Sequence, residues 1–176
     1  MVFQNASLSD IDEICQINHR LLRMNVSDKN RGFLLGERSK SEIMNSLGNY
    51  YVIKEENQVL GYLEIDFKIE RKNFRTGIWE NVQIQDKILE KMRQKKYIYL
   101  VQIAVKKQRM GIGRQLIHGI LKKFEGFLMI SFVVSKPYYN EASCEFFEKL
   151  GFIRGGCFSL QSKFGILGYE RFCYVK

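Results

Sequence analysis

The stretch Tyr97–Gly113, YIYLVQIAVKKQRMGIG, constrains this chain more than any other. An apolar run with strand character stops at Val105. A short basic loop follows (Lys106, Lys107, Gln108, Arg109, Met110) and closes on Gly111-Ile112-Gly113. A helical pattern begins at once, with apolar Leu116, Ile117, Ile120, Leu121 and Phe124. A strand that passes through a glycine turn into a helix N-terminus aims several unpaired backbone N–H groups at one anion. Glycine leaves no Cβ in that anion's path. The pattern therefore predicts a strand over 97–105, a helix over 114–125 and a phosphate-bearing ligand at the turn between them.

At 176 residues, 45% hydrophobic and 13% aromatic, the chain suits one domain, 1–176, with a full core. No apolar stretch reaches the roughly 18 residues of a membrane span. The start, MVFQNASLSDIDEI, has neither the basic nor the apolar segment of a secretory signal. Cys15, Cys144, Cys157 and Cys173 are scattered, which fits reduced thiols in a cytoplasmic protein. His19 and His118 lie far from any cysteine cluster, so no metal is expected. The net charge of +9 fits nucleic acid, an anionic membrane surface, an acidic ligand, or simply a solvated lysine-rich surface. Basic and aromatic residues do not interleave as in an RNA-binding motif, so nucleic acid is not the expected partner. No membrane partner is expected either.

Around the turn, periodicity predicts mixed helices and strands. Residues 2–6 read as a strand, and Asp10 to about Arg23 as a helix with Ile11, Ile14, Ile17, Leu21 and Leu22 on one face. Residues 25–40 read as a loop and Ser41–Leu47 as a short helix. Tyr50–Lys54 and Val59–Ile69 form a hairpin. Its second strand alternates Leu63, Ile65, Phe67 and Ile69 with Glu64, Asp66 and Lys68, as a half-solvated strand does. Residues 70–81 read as a basic loop, 82–93 as a helix, 127–135 as a buried strand and about 140–150 as a helix ended by Gly151. Residues 152–160 and 169–175 read as two last strands.

The turn decides among phosphate loops by what it lacks. A Walker loop needs Lys and then Ser or Thr after the second glycine, where Arg114-Gln115 stands. A dinucleotide fingerprint needs a third glycine or alanine where Leu116 stands, and an acid after the next strand, which 131–136 do not supply. Gln108-Arg109-Met110-Gly111-Ile112-Gly113 instead resembles Q-x-x-G-x-G, motif A of the GNAT superfamily of acetyl-CoA-dependent N-acetyltransferases. Asn140-Glu141-Ala142-Ser143 followed by Phe146-Phe147-Glu148-Lys149-Leu150-Gly151-Phe152 resembles the family's motif B. The S-D-I-D-E-I helix opening is similar to the family's usual start.

The resemblance implies an α/β fold with a mixed, mostly antiparallel central sheet. It is splayed between strands 97–105 and 127–135, flanked by helices, and carries an inserted loop and helix at about 70–96. It implies acetyl-CoA as co-substrate and an amine as acceptor. Pantetheine would pair with Ile103, Ala104 and Val105. The pyrophosphate would sit on Gln108, Arg109, Met110, Gly111, Ile112, Gly113 and Arg114, with Lys106, Lys107, Arg109 and Arg114 as cationic neighbours. Asn140 and Phe147 would flank the thiol arm.

The sequence also departs from the family pattern. Many members place a proton-donating Tyr where Phe147 stands, and the histone-modifying branch has Glu where Tyr99 stands. Tyr99, as a donor, and Glu64, as a base, are the catalytic candidates. Asp66, Gln102, Tyr138 and Tyr139 are alternatives. The loop between Val105 and Gln108 is about two residues shorter than is usual in the family. The basic insert suggests an acidic acceptor, and the C-terminal strands offer an edge for a homodimer. Direct acetyl transfer to a primary amine is the reading the resemblance implies. A catalytically weak acyl-CoA-binding module and a basic nucleic-acid-binding protein are its alternatives.

Overall fold

The computed structural model describes residues 1–26, 32–69, 74 and 77–176. Among the described residues, eight strands and five α-helices form a mixed, mostly antiparallel sheet flanked by helices. The chain divides into two compact units that interleave in sequence, one built from the described parts of 1–27, 33–65 and 101–125, the other from the rest. Residues 27–31 of the predicted loop 25–40, and residues 70–73, 75 and 76 of the basic loop 70–81, lie outside the described residues.

The first unit holds β1 (Val2–Asn5), α1 (Ile11–Arg20), α2 (Lys40–Asn45), β2 (Tyr50–Glu55), nearly all of β3 (Gln58–Asp66), the Val101–Val105 half of β5 (Tyr97–Val105) and α4 (Ile112–Lys123). β1 pairs antiparallel with β2, and β2 with β3. The apolar stripe of α1 meets Ile43 of α2 and Tyr50, Val52, Val59, Tyr62 and Ala104 of the sheet. Fully burying each such aliphatic side chain stabilises by about 1.5–3 kcal/mol. The other face of β1 and β2 takes α4: the Phe3 ring fills the space a Cβ on Gly119 would need, and Tyr51 meets Phe124 edge-on at 6.4 Å. β3 is therefore covered on both faces, and Tyr62, Leu63, Glu64 and Ile65 are all buried. This overturns the half-solvated reading of the strand. It also ends early, because the Asp66 carboxylate accepts from the Lys68 N–H at 2.9 Å and turns the chain.

A buried ion pair fixes the start of α1. Asp10, 1% exposed, accepts from the N–H and hydroxyl of Ser7 at 2.9 and 2.8 Å and from Lys54 Nζ at 2.6 Å. Burial pushes its carboxyl up, but Lys54 and the Ser7 donors outweigh that and hold it below the usual range. A depressed folded pKa gives stability that is present above the unfolded value and lost as pH falls through the folded one. Asp10→Ala should therefore cost about 1.5–3 kcal/mol at neutral pH, typical of a hydrogen-bonded charge. The melting-temperature gap to wild type should shrink below about pH 4. An equally wide gap at pH 2.5 would contradict this origin.

The second unit holds α3 (Val82–Arg93), β4 (Gly77–Trp79), the Tyr97–Leu100 half of β5, β6 (Leu128–Lys136), α5 (Glu141–Lys149), β7 (Ile153–Lys163) and β8 (Ile166–Val175). β5 runs parallel to β6 only from Tyr97↔Leu128 to Leu100↔Ser131, although each strand has nine residues. β6 pairs with β8, β8 with β7 and β7 with β4, all antiparallel. One face buries Ile84 and Ile88 of α3 against Ile130, Phe158, Cys173 and Val175. The other carries α5, whose Phe147 stacks on Tyr174 at 5.6 Å.

Three further elements differ from the sequence reading. β4 lies in what reads as the basic loop, and three residues are too few to show a period. It fits only because Gly77 has no Cβ, whose position lies 2.1 Å from the Phe158 ring. β7 and β8 run on to a two-residue turn at Phe164 (φ 53°) and Gly165 (φ 74°). That is type I′ geometry, and a phenylalanine in its first place hides it from sequence.

Candidate active site

At the end of β5 the Lys106 N–H donates to Leu60 O of β3 at 2.7 Å. Successive N–H groups of a strand point to opposite edges. The Val105 N–H therefore points to the edge away from β3. Beyond it, Arg109 (φ 65°) and Gly111 (φ 74°) both adopt the left-handed conformation, and such alternation gathers backbone N–H groups into a concavity for anions. Gly111 is the N-cap of α4 and offers no capping side chain. The first intrahelical bond is from Gln115 N to Gly111 O at 3.0 Å. The N–H groups of Ile112, Gly113 and Arg114 precede it and have no acceptor within the helix. A Cβ on Gly111 would meet no atom within 4 Å.

The side chains here divide sharply. Gln108, Arg109, Met110 and Arg114 are exposed, Ile103 and Val105 are half-buried, and Ala104 and Ile112 are buried. Lys106 faces Glu13 at 3.9 Å, and its carbonyl accepts from Arg20. These residues, with Gln16 and Ile17, line a cleft of about 180 Å3. Lys107, Arg109 and Arg114 have no acidic partner among the described residues.

A polar network lies on the α1 face of β5, in the same unit. Gln102 Oε1 accepts from Asn18 Nδ2 and from the Tyr62 hydroxyl, each at 3.1 Å, and its Nε2 donates to Gly36 O at 3.0 Å. Asn18 Nδ2 also reaches the Tyr62 oxygen at 3.0 Å, and Asn18 Oδ1 accepts from the Arg38 N–H at 3.0 Å. The Arg38 guanidinium then grips Glu64 with two bonds, 3.0 and 3.2 Å. Burial pushes that guanidinium down, and Glu64 more than offsets it. Burial is also the main reason the Tyr50 and Tyr62 hydroxyls hold their protons well above the usual range, with Glu64 adding to it. Glu64, expected on a solvated face, is 9% exposed and is the acid of this network. Asn18, Arg38 and Tyr62 carry no motif, and the sequence reading did not single them out.

The other candidates lie in the second unit. Tyr99 is half-buried and meets Phe132 edge-on at 5.9 Å. Asn140 caps α5, accepting from the Ser143 N–H at 3.3 Å. Phe147 is 3% exposed between Phe146, Phe152 and Tyr174. It packs as core, while Phe146 is the half-buried one of the pair. Cys144 is buried, which raises its pKa against the pull of hydrogen bonds from Tyr174 and Tyr139. Burial raises Cys15 as well and pushes Cys173 up to about 12. None of these three thiols is activated as a nucleophile. Among the described residues no group of three or more His, Cys, Asp or Glu could hold a metal, and no helix is long and apolar enough to cross a membrane.

Residues 18–152 match the model of the acetyltransferase (GNAT) family. No curated protein matches the sequence. Among solved structures, a GNAT-family acetyltransferase from Bacillus cereus superposes with a TM-score of 0.64 at 19% identity, over 99% of this chain and 95% of its own. A ribosomal-protein-alanine N-acetyltransferase from Brucella melitensis gives 0.65 at 18% identity, over 100% and 99%. A putative acetyltransferase from Salmonella typhimurium, solved with acetyl-CoA, gives 0.62 at 16% identity, over 99% and 92%.

Proposed function

Since the chain belongs to the GNAT family of acetyltransferases, we propose that it moves an acetyl group from acetyl-CoA directly to the primary amine of a small molecule or peptide. We read the whole chain, 1–176, as one such domain. The observation that carries the reading is the turn itself: left-handed Arg109 and Gly111, and three helix N–H groups without an intrahelical acceptor. A pyrophosphate accepts such donors well.

The chemistry follows from the groups nearby. The free edge of β5 offers its backbone to the pantetheine arm. The Val105 N–H is assigned to donate to the thioester oxygen as it becomes an oxyanion. The amine must lose a proton to attack, and Glu64 is assigned to take it, with Gln102 orienting an intervening water. Phe147 has no proton for the leaving thiolate, so Tyr99 is assigned that donation. An acyl-cysteine step finds no support, since burial holds Cys144 protonated.

The test is thiol release from acetyl-CoA across amines: polyamines, amino acids, aminoglycosides and peptides with free N-termini. One of these classes should be acetylated. Tyr99→Phe should then lower kcat by about 100-fold, the low end for a general acid, with acetyl-CoA affinity unchanged. Saturable acetyl-CoA binding with no thiol release on any amine would favour a binding module. An unaltered kcat in Tyr99→Phe would remove that residue from the reaction.

A further inference from the structure

The face of the second unit that α3 covers is largely apolar. Ile130 and Phe132 of β6, Phe158 of β7 and Cys173 and Val175 of β8 belong to it, and so does Tyr99 of β5. Arg171 lies two positions before Cys173, so alternation along β8 puts it on this face too. The register sets it between Val134 and Phe158. It is 1% exposed. Its guanidinium carbon stands 3.8 Å from the centre of the Phe132 ring, and Tyr99 meets that same ring edge-on at 5.9 Å. One phenylalanine therefore holds a buried cation on one side and the phenol assigned to proton donation on the other.

Packing alone does not call for an arginine here. A buried charge costs free energy, and an apolar side chain of similar volume often serves stability as well or better. Burial pushes the guanidinium down, and the anionic forms of Tyr99, Tyr169 and Cys173 oppose that. Burial pushes Tyr169 and Cys173 up to about 12 each, so both keep their protons at neutral pH. Tyr99 is the half-buried member of the three, one position before the last pairing of β5 with β6, Leu100↔Ser131. The further titratable groups beside them are Tyr97, whose oxygen accepts from the Ile69 N–H at 3.3 Å, and Lys163, 5.8 Å from the Tyr169 ring. α3 and β4 turn apolar Ile84, Ile88, Met92 and Trp79 to this face.

We propose that Arg171 is a positioning residue whose guanidinium, laid on Phe132, stabilises the phenolate that Tyr99 becomes when it gives its proton to the departing thiolate. The proposal rests on the reading of Tyr99 as the proton donor. In that step the C–S bond of the tetrahedral intermediate breaks and its electron pair goes to sulfur. The Tyr99 O–H bond breaks and an S–H bond forms, so CoA leaves as the thiol. Tyr99 remains as a phenolate near Arg171, and a proton from solvent restores it, matching the one the amine has lost. An ordinary phenol holds its proton to about pH 10 and a thiol to about pH 8.5, so the transfer runs uphill by about 30-fold unaided. A fixed cation close to the phenol offsets that, because it favours the anion.

The experiment labels the tyrosine rings isotopically and follows their titration by NMR between about pH 7 and pH 11. Tyr99 is the signal that Tyr99→Phe loses. Its midpoint should lie about one unit or more higher in Arg171→Met than in wild type, and Arg171→Lys should keep most of the wild-type value. The melting temperature of Arg171→Met should hold or rise. With the amine found in the acceptor screen, Arg171→Met should lower kcat by about 10-fold, the equivalent of one unit, with KM for acetyl-CoA and for the amine unchanged. In the Tyr99→Phe background it should lower kcat no further, because residues that act in one step are not additive. An unmoved Tyr99 midpoint in Arg171→Met overturns the proposal, and so does a loss of kcat that is as large in the Tyr99→Phe background. An unaltered kcat in Tyr99→Phe overturns the proton-donor reading and the proposal with it, whatever the titration shows.

Discussion

Replacing Gly111 with asparagine should weaken acetyl-CoA binding by about 100-fold or more while the protein still folds and melts close to wild type. The residue sits at φ 74°, where an L side chain costs about 1–2 kcal/mol, and asparagine tolerates that region best after glycine. A Cβ there meets no protein atom within 4 Å, so nothing in the fold itself resists the new side chain. It would stand in the space to which the helix N–H groups point. Displacing a phosphate from two such donors removes about 3 kcal/mol or more, which is about 100-fold in affinity. Valine would also block binding, but its branched Cβ adds strain, so Gly111→Val should lose stability as well. Titration calorimetry paired with melting curves separates the two effects. If Gly111→Asn binds acetyl-CoA as wild type does, the phosphates sit elsewhere.

Glu64→Gln should lower kcat by about 100- to 10,000-fold, the range for loss of a general base. The amide can still accept one bond from Arg38, so the cost to the fold should stay near 1–3 kcal/mol. Acetyl-CoA affinity should not move, because no donor contact is assigned to Glu64. The discriminating readout is the pH–rate profile measured with the amine found in the acceptor screen. The shape of the profile should differ between wild type and Glu64→Gln. Arg38→Lys keeps the charge but loses the two-pronged grip, and should sit between them. A profile that keeps its shape in Glu64→Gln, with only stability reduced, would make the carboxylate a structural ion pair.

What the sequence showed of this site follows the range of the interactions. The strand, turn and helix over 97–125 are local, and they stand where the periodicity puts them, with α4 beginning two residues before the expected start. The polar network is not local. Asn18 meets Gln102 across 84 positions, and Arg38 meets Glu64 across 26. Nothing in the spacing of these residues marks them as partners. Alternation along β3 implies a face open to water and a solvated Glu64, whereas helices cover both faces and Glu64 is buried. Phe147, expected beside the thiol arm, packs as core because it follows buried Cys144 by three positions and shares its face. β4 went unseen because its pairing depends on a missing Cβ at Gly77, far from the strand it joins.

The most direct measurement is a titration of the wild-type protein with acetyl-CoA, followed by calorimetry and by melting temperature. One saturable site per chain is expected. At a free concentration of 100 times Kd the ligand should add about 2.7 kcal/mol of stability, or about 5–10 °C for a chain of this size. Gly111→Asn should gain no more than about 0.4 kcal/mol at the same concentration, or about 1 °C. No heat and no melting shift with saturating acetyl-CoA, with CoA equally silent, would contradict the assignment of the glycine turn as the donor site.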